Sequence, residues 1–466
     1  MIIVDSAIEA RRRSGRPVVV GMYGCGFMGR GTLINVERHM PVLRIAAICN
    51  RNVQRAVQAL LDAGVERSDI EEVSSVAAMD RALAAGARAV TADPSLIARC
   101  SAIEVVFETT GHVEYGAAVT TDCLANGKDI VSLNVELDAT VGPLLRQRAA
   151  AAGRIFSGAD GDQPGVTMNL VRHVEAMGLQ PLVCGNIKGL QDRYRNPTTQ
   201  EAYARQWNQT PTMVTSFADG TKMTAEQVIV ANAVGLKVSQ RGMIGRDHRG
   251  HVDDLVKFYD IDELRALGGI VDYVVGAVPS PGIYVLAAAR DDNQAFFLDL
   301  GKLGKGPLYS FYTAWHLTVL EFGISIARVA LCRDAVIGNA RGPSLDIAAA
   351  AKRPLRQGET IDGIGGYMTY GVAENYDESR RQDLLPMGLA EGCRLKRDLP
   401  ADRVLTYDDV EPPAASVVHA LRQEQDRLFP IEGGRQRQPG SAGADDPAAG
   451  VRRRAAAPGE QPAASS

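Results

Sequence analysis

The sequence lacks any apolar run close to the roughly 20 residues of a membrane-spanning helix. It also lacks a charge excess, because 51 Lys and Arg stand against 55 Asp and Glu, a net charge of −4. Nucleic acids and anionic membranes attract concentrated positive charge, so we expect neither as a partner. The N-terminus "MIIVDSAIEARRRSGRP" carries charges where a secretory signal needs its apolar segment. We therefore expect a cytoplasmic protein.

Cysteine is also scarce. The seven cysteines are odd in number, widely spaced and never arranged as C-x-x-C. This pattern suggests neither a disulfide framework nor a zinc knuckle, and it predicts reduced, mostly buried thiols. Hydrophobic residues make up 45% of the 466-residue chain, which is enough to bury a large core in about two or three domains.

What the sequence does have is a glycine-rich segment, "VVVGMYGCGFMGRG". Its first three valines predict a buried strand, and apolar residues recur at helical spacing from Gly29 onward. Gly24, Gly26 and Gly29 fit the pattern G-x-G-x-x-G at such a strand-to-helix turn, where bare backbone approaches a pyrophosphate and the helix N-terminus binds it. The alternative is a purely structural turn. We predict a dinucleotide site that includes Gly24, Gly26, Phe27, Met28 and Gly29.

The next strand lacks the expected acidic residue. "VLRIAAICNRN" ends at Asn50 and Arg51, about twenty residues after the last glycine, where NAD-binding proteins usually place Asp or Glu. A carboxylate would hold the ribose 2′-hydroxyl, whereas the Arg51 guanidinium offers a charged fork to a 2′-phosphate. We predict that NADPH is the cofactor and that Asn50 and Arg51 contact it. The alternative is a solvated arginine in a loop.

Two further apolar runs, "IEVVFETTG" and "KDIVSLNVE", alternate with helical stretches. This alternation predicts a doubly wound parallel sheet of the Rossmann type, whose ligands bind at the carboxyl ends of the strands. An ordinary loop role remains the alternative for each residue there. The cofactor candidates at this edge are Thr109, Thr110, Gly111, Asn134 and Glu136.

Polar loops between apolar elements follow in "GADGDQPG", "VCGNIKGLQDRY" and "TSFADGTKMTAEQ". A lysine beside a carboxylate can give a proton to a carbonyl oxygen, and a carboxylate can take one from an alcohol. A solvated turn is the alternative for each group. We predict that Asp162, Lys188, Asp219 and Lys222 are catalytic. Cys184 lies near Lys188, but a small buried hydrophobe is its favoured interpretation.

The last third of the chain contains a short repeat. "KRPLRQGETID" aligns with "KRDLPADRVLT", which predicts a small β-rich domain. Beyond Pro430 the composition indicates a disordered tail. We predict a Rossmann domain over 1–155, an α+β substrate and catalytic domain over 156–345, the β-rich domain over 346–430 and the tail over 431–466.

Several stretches together resemble the homoserine-dehydrogenase-like oxidoreductases with a C-terminal SAF domain, over about residues 10–420. They are "GMYGCGFMGRG", "GDQPGV", "CGNIKGLQD", "VTSFADGTK", "IVANAVG" and "LPMGLAEGCRLKRDLPADRVLTYDDV". Among these enzymes, the chain is similar to the 1-deoxy-D-xylulose 5-phosphate reductoisomerase-like group. The resemblance implies rearrangement of a phosphorylated ketose and its reduction by NADPH to 2-C-methyl-D-erythritol 4-phosphate, a step of isoprenoid biosynthesis. We expect a homo-oligomer, either a dimer or a tetramer.

The resemblance places a lysine and acidic residues around the substrate in loops that match Lys188, Asp219 and Lys222. A rearrangement needs two adjacent substrate oxygens to be polarised by a divalent cation or a lysine pair. Asp160 and Asp162 are candidate ligands for Mg²⁺ or Mn²⁺.

Three further residues are assigned to the substrate: Asn186, Asn232 and His316. For His316 a core position is the alternative. Homoserine dehydrogenases usually have a lysine after the position of Asn134, and Val135 stands there instead. This departure disfavours homoserine itself. Two other classes stay open, a reductase of another small aldehyde or ketone and a non-catalytic protein whose SAF domain binds a sugar.

Overall fold

The computed structural model describes residues 4–338 and 342–432, and its N-terminal part folds around a seven-stranded parallel sheet. The strand order is β3-β4-β2-β1-β5-β6-β7. The chain leaves β1 in one direction and returns to its other side at β5, so a topological switch point lies between these strands. The doubly wound sheet is confirmed. Its strands are β1 (Val18–Tyr23), β2 (Leu43–Cys49), β3 (Ile70–Glu72), β4 (Arg88–Thr91), β5 (Val105–Glu108), β6 (Asp129–Ser132) and β7 (Phe156–Ser157).

Both faces of this sheet are buried, as its uninterrupted apolar strands require. Val20 and Ile45 pack with Leu33 in one layer, while Ala46 and Val106 belong to the other. The helices of this part are α1 (Asp5–Arg13), α2 (Phe27–His39), α3 (Val53–Ala63), α4 (Val76–Ala84), α5 (Pro94–Arg99), α6 (Val113–Ala125) and α7 (Val135–Ala151). Within the described residues, none of the helices combines the length and apolarity needed to cross a bilayer.

A five-stranded mixed sheet forms the middle of the chain, in the order β12-β11-β8-β10-β9. Its strands are β8 (Gln180–Lys188), β9 (Arg246–Asp247), β10 (Ile270–Val275), β11 (Gly282–Ala288) and β12 (Leu308–Thr313). The helices are α8 (Gln163–Ala176), α9 (Pro197–Gln206), α10 (Pro211–Ala218), α11 (Thr221–Val234), α12 (Ile261–Leu267), α13 (Asp292–Leu300) and α14 (Phe322–Ala327). Helix α11 is buried along nearly its whole length, because it contacts α7, α8 and the C-terminal strands.

The C-terminal part is rich in short strands. Its elements are β13 (Leu345–Ala351), β14 (Thr369–Asn375), α15 (Tyr376–Arg381), α16 (Met387–Ala390), β15 (Arg394–Leu395), β16 (Val410–Glu411) and α17 (Val417–Leu428). The two copies of the sequence repeat pair with each other, since Leu355 and Leu399 exchange two backbone hydrogen bonds of 2.9 Å. The predicted tail lies outside the described residues from position 433 on.

Two segments pack away from the domain to which the sequence assigned them. Helix α17 lies on α6 and α7 of the N-terminal part, and the Glu114 carboxylate accepts the N–H groups of Val417 and Val418 at its start. Phe322 and Ile326 of α14 likewise join the N-terminal core. An amphipathic pattern shows that a helix has an apolar face but does not say which surface covers it.

A fully buried arginine anchors α17. The two terminal nitrogens of Arg422 donate to the Asp346 carboxylate at 2.7 and 2.6 Å, and its Nε donates to Asp426 at 2.9 Å. These carboxylates raise the pKa of Arg422 although burial opposes its charge. The last helix and the first strand of the C-terminal part therefore share one charged contact.

Candidate active site

The glycine turn connects β1 to α2. Gly24 has φ +87°, a conformation that favours glycine. A Cβ on Gly29 would lie 2.7 Å from Thr109 Oγ1, so only glycine allows this close packing. Around the Cβ position of Gly26 no atom of the described chain lies within 4 Å, and no side chain caps the first turn of α2. The turn therefore offers open space and free N–H groups to a phosphate.

The residues after β5 and β6 hold this edge of the sheet together. Thr109 Oγ1 donates to the Tyr23 carbonyl at 3.0 Å, and the Thr110 N–H donates to the Glu108 carboxylate at 2.8 Å. Gly111 has φ +67° and is exposed at the same edge. The side chains of both threonines thus shape the turn, and contact between this loop and the cofactor stays a prediction.

Asn134 caps helix α7. Its side chain is buried, its Oδ1 accepts the Leu137 N–H at the start of α7, and its Nδ2 donates to the His112 carbonyl at 3.1 Å. The side chain thus has a structural role as a helix cap, and its contact with the cofactor stays a prediction.

The remaining cofactor candidates surround the turn. Phe27 is exposed at the start of α2, and Met28 packs against the core. The Asn50 side chain donates to the Asn52 carbonyl at 2.6 Å. Arg51 is exposed, and among the described residues no hydrogen bond or ion pair holds its guanidinium. Its charge is available to a ligand.

We expect Arg51→Asp to narrow or invert the preference for NADPH over NADH. A charge-assisted contact to the 2′-phosphate contributes about 1.5–3 kcal/mol, which corresponds to roughly a 10- to 150-fold loss of NADPH affinity. Dissociation constants for both cofactors check the prediction, with Arg81→Asp on the exposed face of α4 as control. Equal affinities of the unmutated protein for the two cofactors would contradict it.

Two lysines and three carboxylates meet beside this edge, and we call them the acid–base cluster: Glu136, Asp162, Lys188, Lys222 and Glu226. Lys188 Nζ lies 3.8 Å from Glu226 Oε2, and Lys222 Nζ lies 3.7 Å from Glu136 Oε1. Asp162 acts electrostatically on both Lys222 and Glu226. Glu136 and Asp162 follow strands β6 and β7, whereas the other three residues come from β8 and α11. The cluster therefore joins the two sheets.

Two amide side chains, Gln163 and Asn186, form hydrogen bonds with members of the acid–base cluster. Lys188 Nζ donates to Gln163 Oε1 at 2.9 Å. Asn186 Nδ2 donates to the same oxygen at 2.7 Å and to Glu226 Oε2 at 3.2 Å. Asn186 therefore contacts the acid–base cluster, and its role in binding the substrate stays a prediction. Glu136, predicted as a cofactor contact, belongs to the acid–base cluster.

His316 also faces this region. Burial lowers the pKa of His316, while the charge of Asp162 raises it and that of Lys188 lowers it. Its Nδ1 is a buried atom that lacks a hydrogen-bond partner in the described chain. A neutral imidazole with an open nitrogen suits contact with a ligand better than a core position does.

Electrostatics distinguish the acidic members of the cluster. Burial raises the pKa of Glu226 to about 7, and the positive charge of Lys188 only partly opposes this shift. Burial disfavours the charge of Lys222, but the carboxylates of Glu136, Asp162 and Glu226 raise its pKa overall. The cluster thus holds a charged ammonium beside a carboxyl that exchanges protons near neutral pH.

Folding stability should fall with rising pH because of Glu226. Its pKa of about 7 in the folded chain lies above the value of 4.5 for a free carboxyl, so unfolding releases a proton between these values. From pH 5 to 7 wild type should lose about 2 kcal/mol relative to Glu226→Gln. Urea unfolding at several pH values measures this, with Glu201→Gln on α9 as an exposed control. A pH-independent difference between wild type and Glu226→Gln would contradict the shift.

Asp219 and Asn232 do not join the cluster, which corrects both predictions. Asp219 forms a buried ion pair of 2.9 Å with Lys352 of the C-terminal part. Asn232 Oδ1 accepts the N–H groups of Ser344 and Leu345 at 2.7 and 2.9 Å. These contacts join α11 to the C-terminal strands, so both residues serve the fold.

The predicted metal site is also corrected. Asp160 is fully buried, and its carboxylate is occupied by Arg328 at 2.8 Å, Ser325 at 2.7 Å and Asn169 at 2.6 Å. Among the described residues no group of three or more His, Cys, Asp or Glu side chains could hold a metal ion. Asp160, whose carboxylate Arg328 already neutralises, therefore does not fit the predicted cation site.

The sequence did not predict the roles of Gln163, Glu226 and Lys352. Glu226 had a usable signal, since it lies four residues after Lys222 on one helix face. Gln163 and Lys352 had none, because their partners are far away in sequence. Cys184 is buried, and burial raises its thiol pKa, which agrees with the interpretation as a small hydrophobe.

Two family models match the chain. Residues 24–157 match the homoserine dehydrogenase NAD binding domain, and residues 161–322 match the catalytic domain of oxidoreductase DRL. The matches cover the glycine turn and every member of the acid–base cluster. Together these domains make the chain a nicotinamide-dependent oxidoreductase. Its cofactor domain is similar to that of homoserine dehydrogenases. A search of curated protein sequences finds no match.

Solved structures with a similar fold include three dehydrogenases and reductases. A homoserine dehydrogenase from Thiobacillus denitrificans is 17% identical, with 67% of this chain and 74% of that chain covered and a TM-score of 0.42. A probable dehydrogenase from Thermotoga maritima is 12% identical, with 69% and 91% covered and a TM-score of 0.39. The 1-deoxy-D-xylulose 5-phosphate reductoisomerase from Zymomonas mobilis, in complex with NADPH, is 16% identical, with 46% and 58% covered and a TM-score of 0.32.

Proposed function

We propose that this oxidoreductase uses NADPH to reduce a small phosphorylated keto sugar, after a rearrangement of the kind performed by 1-deoxy-D-xylulose 5-phosphate reductoisomerase. The observation that carries the proposal is the acid–base cluster, which places two lysine amines and Glu226 at the carboxyl edge of the cofactor-binding sheet. The sequence resemblance supports the substrate class.

The residues at the glycine turn suit NADPH. The free N–H groups of α2 and the open space at Gly26 would receive its pyrophosphate, and the unpaired Arg51 would receive its 2′-phosphate. When bound, the nicotinamide supplies the hydride. The protein has to position the carbonyl and stabilise the charge that develops on its oxygen.

The lysines supply that stabilisation. Hydride addition makes the carbonyl oxygen negative, and a preorganised ammonium in a buried site stabilises this charge strongly. Lys188 lies 3.8 Å from Glu226, whose pKa of about 7 suits it to give and receive protons at neutral pH. In the proposal Lys188 protonates the new alkoxide, and Glu226 returns the proton to Lys188.

The same pair can serve the rearrangement. Migration of a carbon requires two adjacent oxygens to be held, one as it loses a proton and one as it becomes a carbonyl. Lys188 pairs with Glu226 and Lys222 pairs with Glu136, so in the proposal each amine serves one oxygen. Asp160, whose carboxylate is bound to Arg328, takes no part in this step.

A second candidate is a homoserine-dehydrogenase-like reductase of another small aldehyde or ketone. The match of residues 24–157 to the homoserine dehydrogenase cofactor domain favours it. The chemistry of the lysines would be the same, but no carbon skeleton would rearrange.

Oxidation of NADPH with a panel of phosphorylated ketoses and unphosphorylated aldehydes tests the proposal. Turnover of 1-deoxy-D-xylulose 5-phosphate, with the branched alcohol as product, would support the reductoisomerase. Reduction of an unrearranged carbonyl compound alone would favour the second candidate. If NADPH binds but no compound is reduced, the proposed function is wrong and a non-catalytic binding protein is favoured.

A further inference from the structure

A buried ion pair links the C-terminal β-rich part to the start of α11. Lys352 follows β13, and its Nζ donates to Asp219 Oδ2 at 2.9 Å and to the Gly366 carbonyl at 2.8 Å. The side chains of Lys352 and Asp219 are 3% and 0% exposed. The Lys352 ammonium therefore connects two segments of the C-terminal part, at Lys352 and Gly366, with Asp219 of the catalytic part.

Asp219 also contacts the first turn of α11, the helix that carries Lys222. Its Oδ1 accepts the N–H of Thr221 at 2.8 Å, and Thr221 is the first residue of α11. The hydroxyl oxygen of Thr221 accepts the N–H of Gly371, in strand β14, at 2.9 Å. Both contacts come directly before Lys222, so the C-terminal part fixes the first turn of the helix.

The preceding helix is held on the same side. Gly365 has φ +74°, and a Cβ on it would lie 2.0 Å from the carbonyl oxygen of Thr212 in α10. Such backbone packing leaves no room for adjustment. The chain from α10 to the start of α11 is thus fixed at Gly365, at Lys352 and at Gly371.

The pair formed by Lys352 and Asp219 is charged although it is buried. Removing two ions from water costs several kcal/mol, and an apolar pair of similar volume stabilises a fold at least as well. A buried ion pair with defined hydrogen bonds instead restricts its elements to one arrangement. The element held by this ion pair is the start of α11, which carries Lys222. In the cluster the Nζ of Lys222 lies near the carboxylates of Glu136 and Glu226.

We propose that Lys352 is a positioning residue of the active site, acting through Asp219 to hold Lys222 in the acid–base cluster. The C-terminal part then has a role in the reaction although none of its residues belongs to the cluster. The effect on turnover rests on the proposed function, whereas the placement of Lys222 does not.

Lysine labelling tests the placement without using activity. Full-length wild type, Lys352→Met and Arg353→Met are treated with acetic anhydride, and modification of each lysine is followed by mass spectrometry. Arg353→Met is the matched control, since that half-exposed side chain pairs with Glu359 inside the C-terminal part. Lys128, buried in the Rossmann part and bound to two carbonyls, reports global unfolding.

In Lys352→Met we expect Lys222 to react about tenfold faster while Lys128 keeps its protection. Turnover should fall about 10- to 100-fold, with NADPH affinity unchanged, because a displaced group loses catalytic alignment. Arg353→Met should resemble wild type in all three measurements. Unchanged protection of Lys222 in folded Lys352→Met overturns the proposal.

Two other results of the labelling experiment also test the proposal. If Lys222 and Lys128 become reactive together, Asp219→Asn, which keeps the side-chain volume, is tested in the same way. A joint increase in that variant as well overturns the proposal, because the ion pair then supports stability rather than position. If Lys222 is released but turnover is unchanged, the positioning stands and the catalytic role proposed for Lys222 is wrong.

Discussion

Replacing Lys188 by Met should lower kcat by about two orders of magnitude or more while leaving NADPH affinity intact. Methionine keeps the length and apolar stem of lysine but removes the ammonium that stabilises a developing alkoxide. Lys188 belongs to β8 and to the acid–base cluster, and it makes no contact with the glycine turn, so the cofactor should bind as before.

Lys222→Met should show a loss of similar size for the same reason, and it also leaves Glu136 without its cation. Steady-state rates at saturating NADPH, together with cofactor dissociation constants, measure both effects. Lys237→Met removes an exposed lysine shortly after α11 and serves as control. Wild-type turnover in either folded cluster variant would remove that lysine from the mechanism.

The second large effect concerns stability. Arg422→Met should lower the free energy of unfolding by roughly 3–5 kcal/mol, because it leaves the buried carboxylate of Asp346 without a counter-ion. That carboxylate is 2% exposed and accepts two hydrogen bonds from the arginine. Methionine cannot satisfy it, and water reaches the site only if α17 moves away.

Denaturant unfolding of the whole chain measures the change. Arg427→Met lies on the exposed side of the same helix and should change the stability by less than about 0.5 kcal/mol. A second variant, Arg422→Met combined with Asp346→Leu, removes both charges and should recover part of the loss. Equal stabilities of Arg422→Met and Arg427→Met would show that the buried pair contributes little.

The sequence predicted the parts of the molecule that depend on local pattern. Apolar runs and glycine spacing identified β1, the turn and α2, and the missing carboxylate after β2 directed attention to Arg51. Lys188, Lys222 and Asp162 were predicted as catalytic because they stand in polar loops between well-patterned elements; the structure brings them into one cluster, and their catalytic role stays a prediction. Each of these signals lies within about twenty residues of chain.

The errors involve partners that are distant in sequence. Asp160 was predicted as a metal ligand and Asp219 as a catalytic residue. The sequence around an acidic loop residue does not show which cation will neutralise it in the fold. Their cations, Arg328 and Lys352, lie 168 and 133 positions away. The spacing of Glu226 from Lys222 could have placed both on one helix face, but the raised pKa of Glu226 comes from tertiary burial, which the sequence does not show.

The return of α17 to the Rossmann part also affects how the chain folds during synthesis. Helices α6 and α7 lie about 300 positions before the residues that cover them, so the ribosome must release almost the whole chain before this surface is closed. Until then the nascent N-terminal part exposes apolar surface and the unmatched Glu114 carboxylate. We expect it to need a chaperone, or a transient contact within the chain, for as long as translation continues.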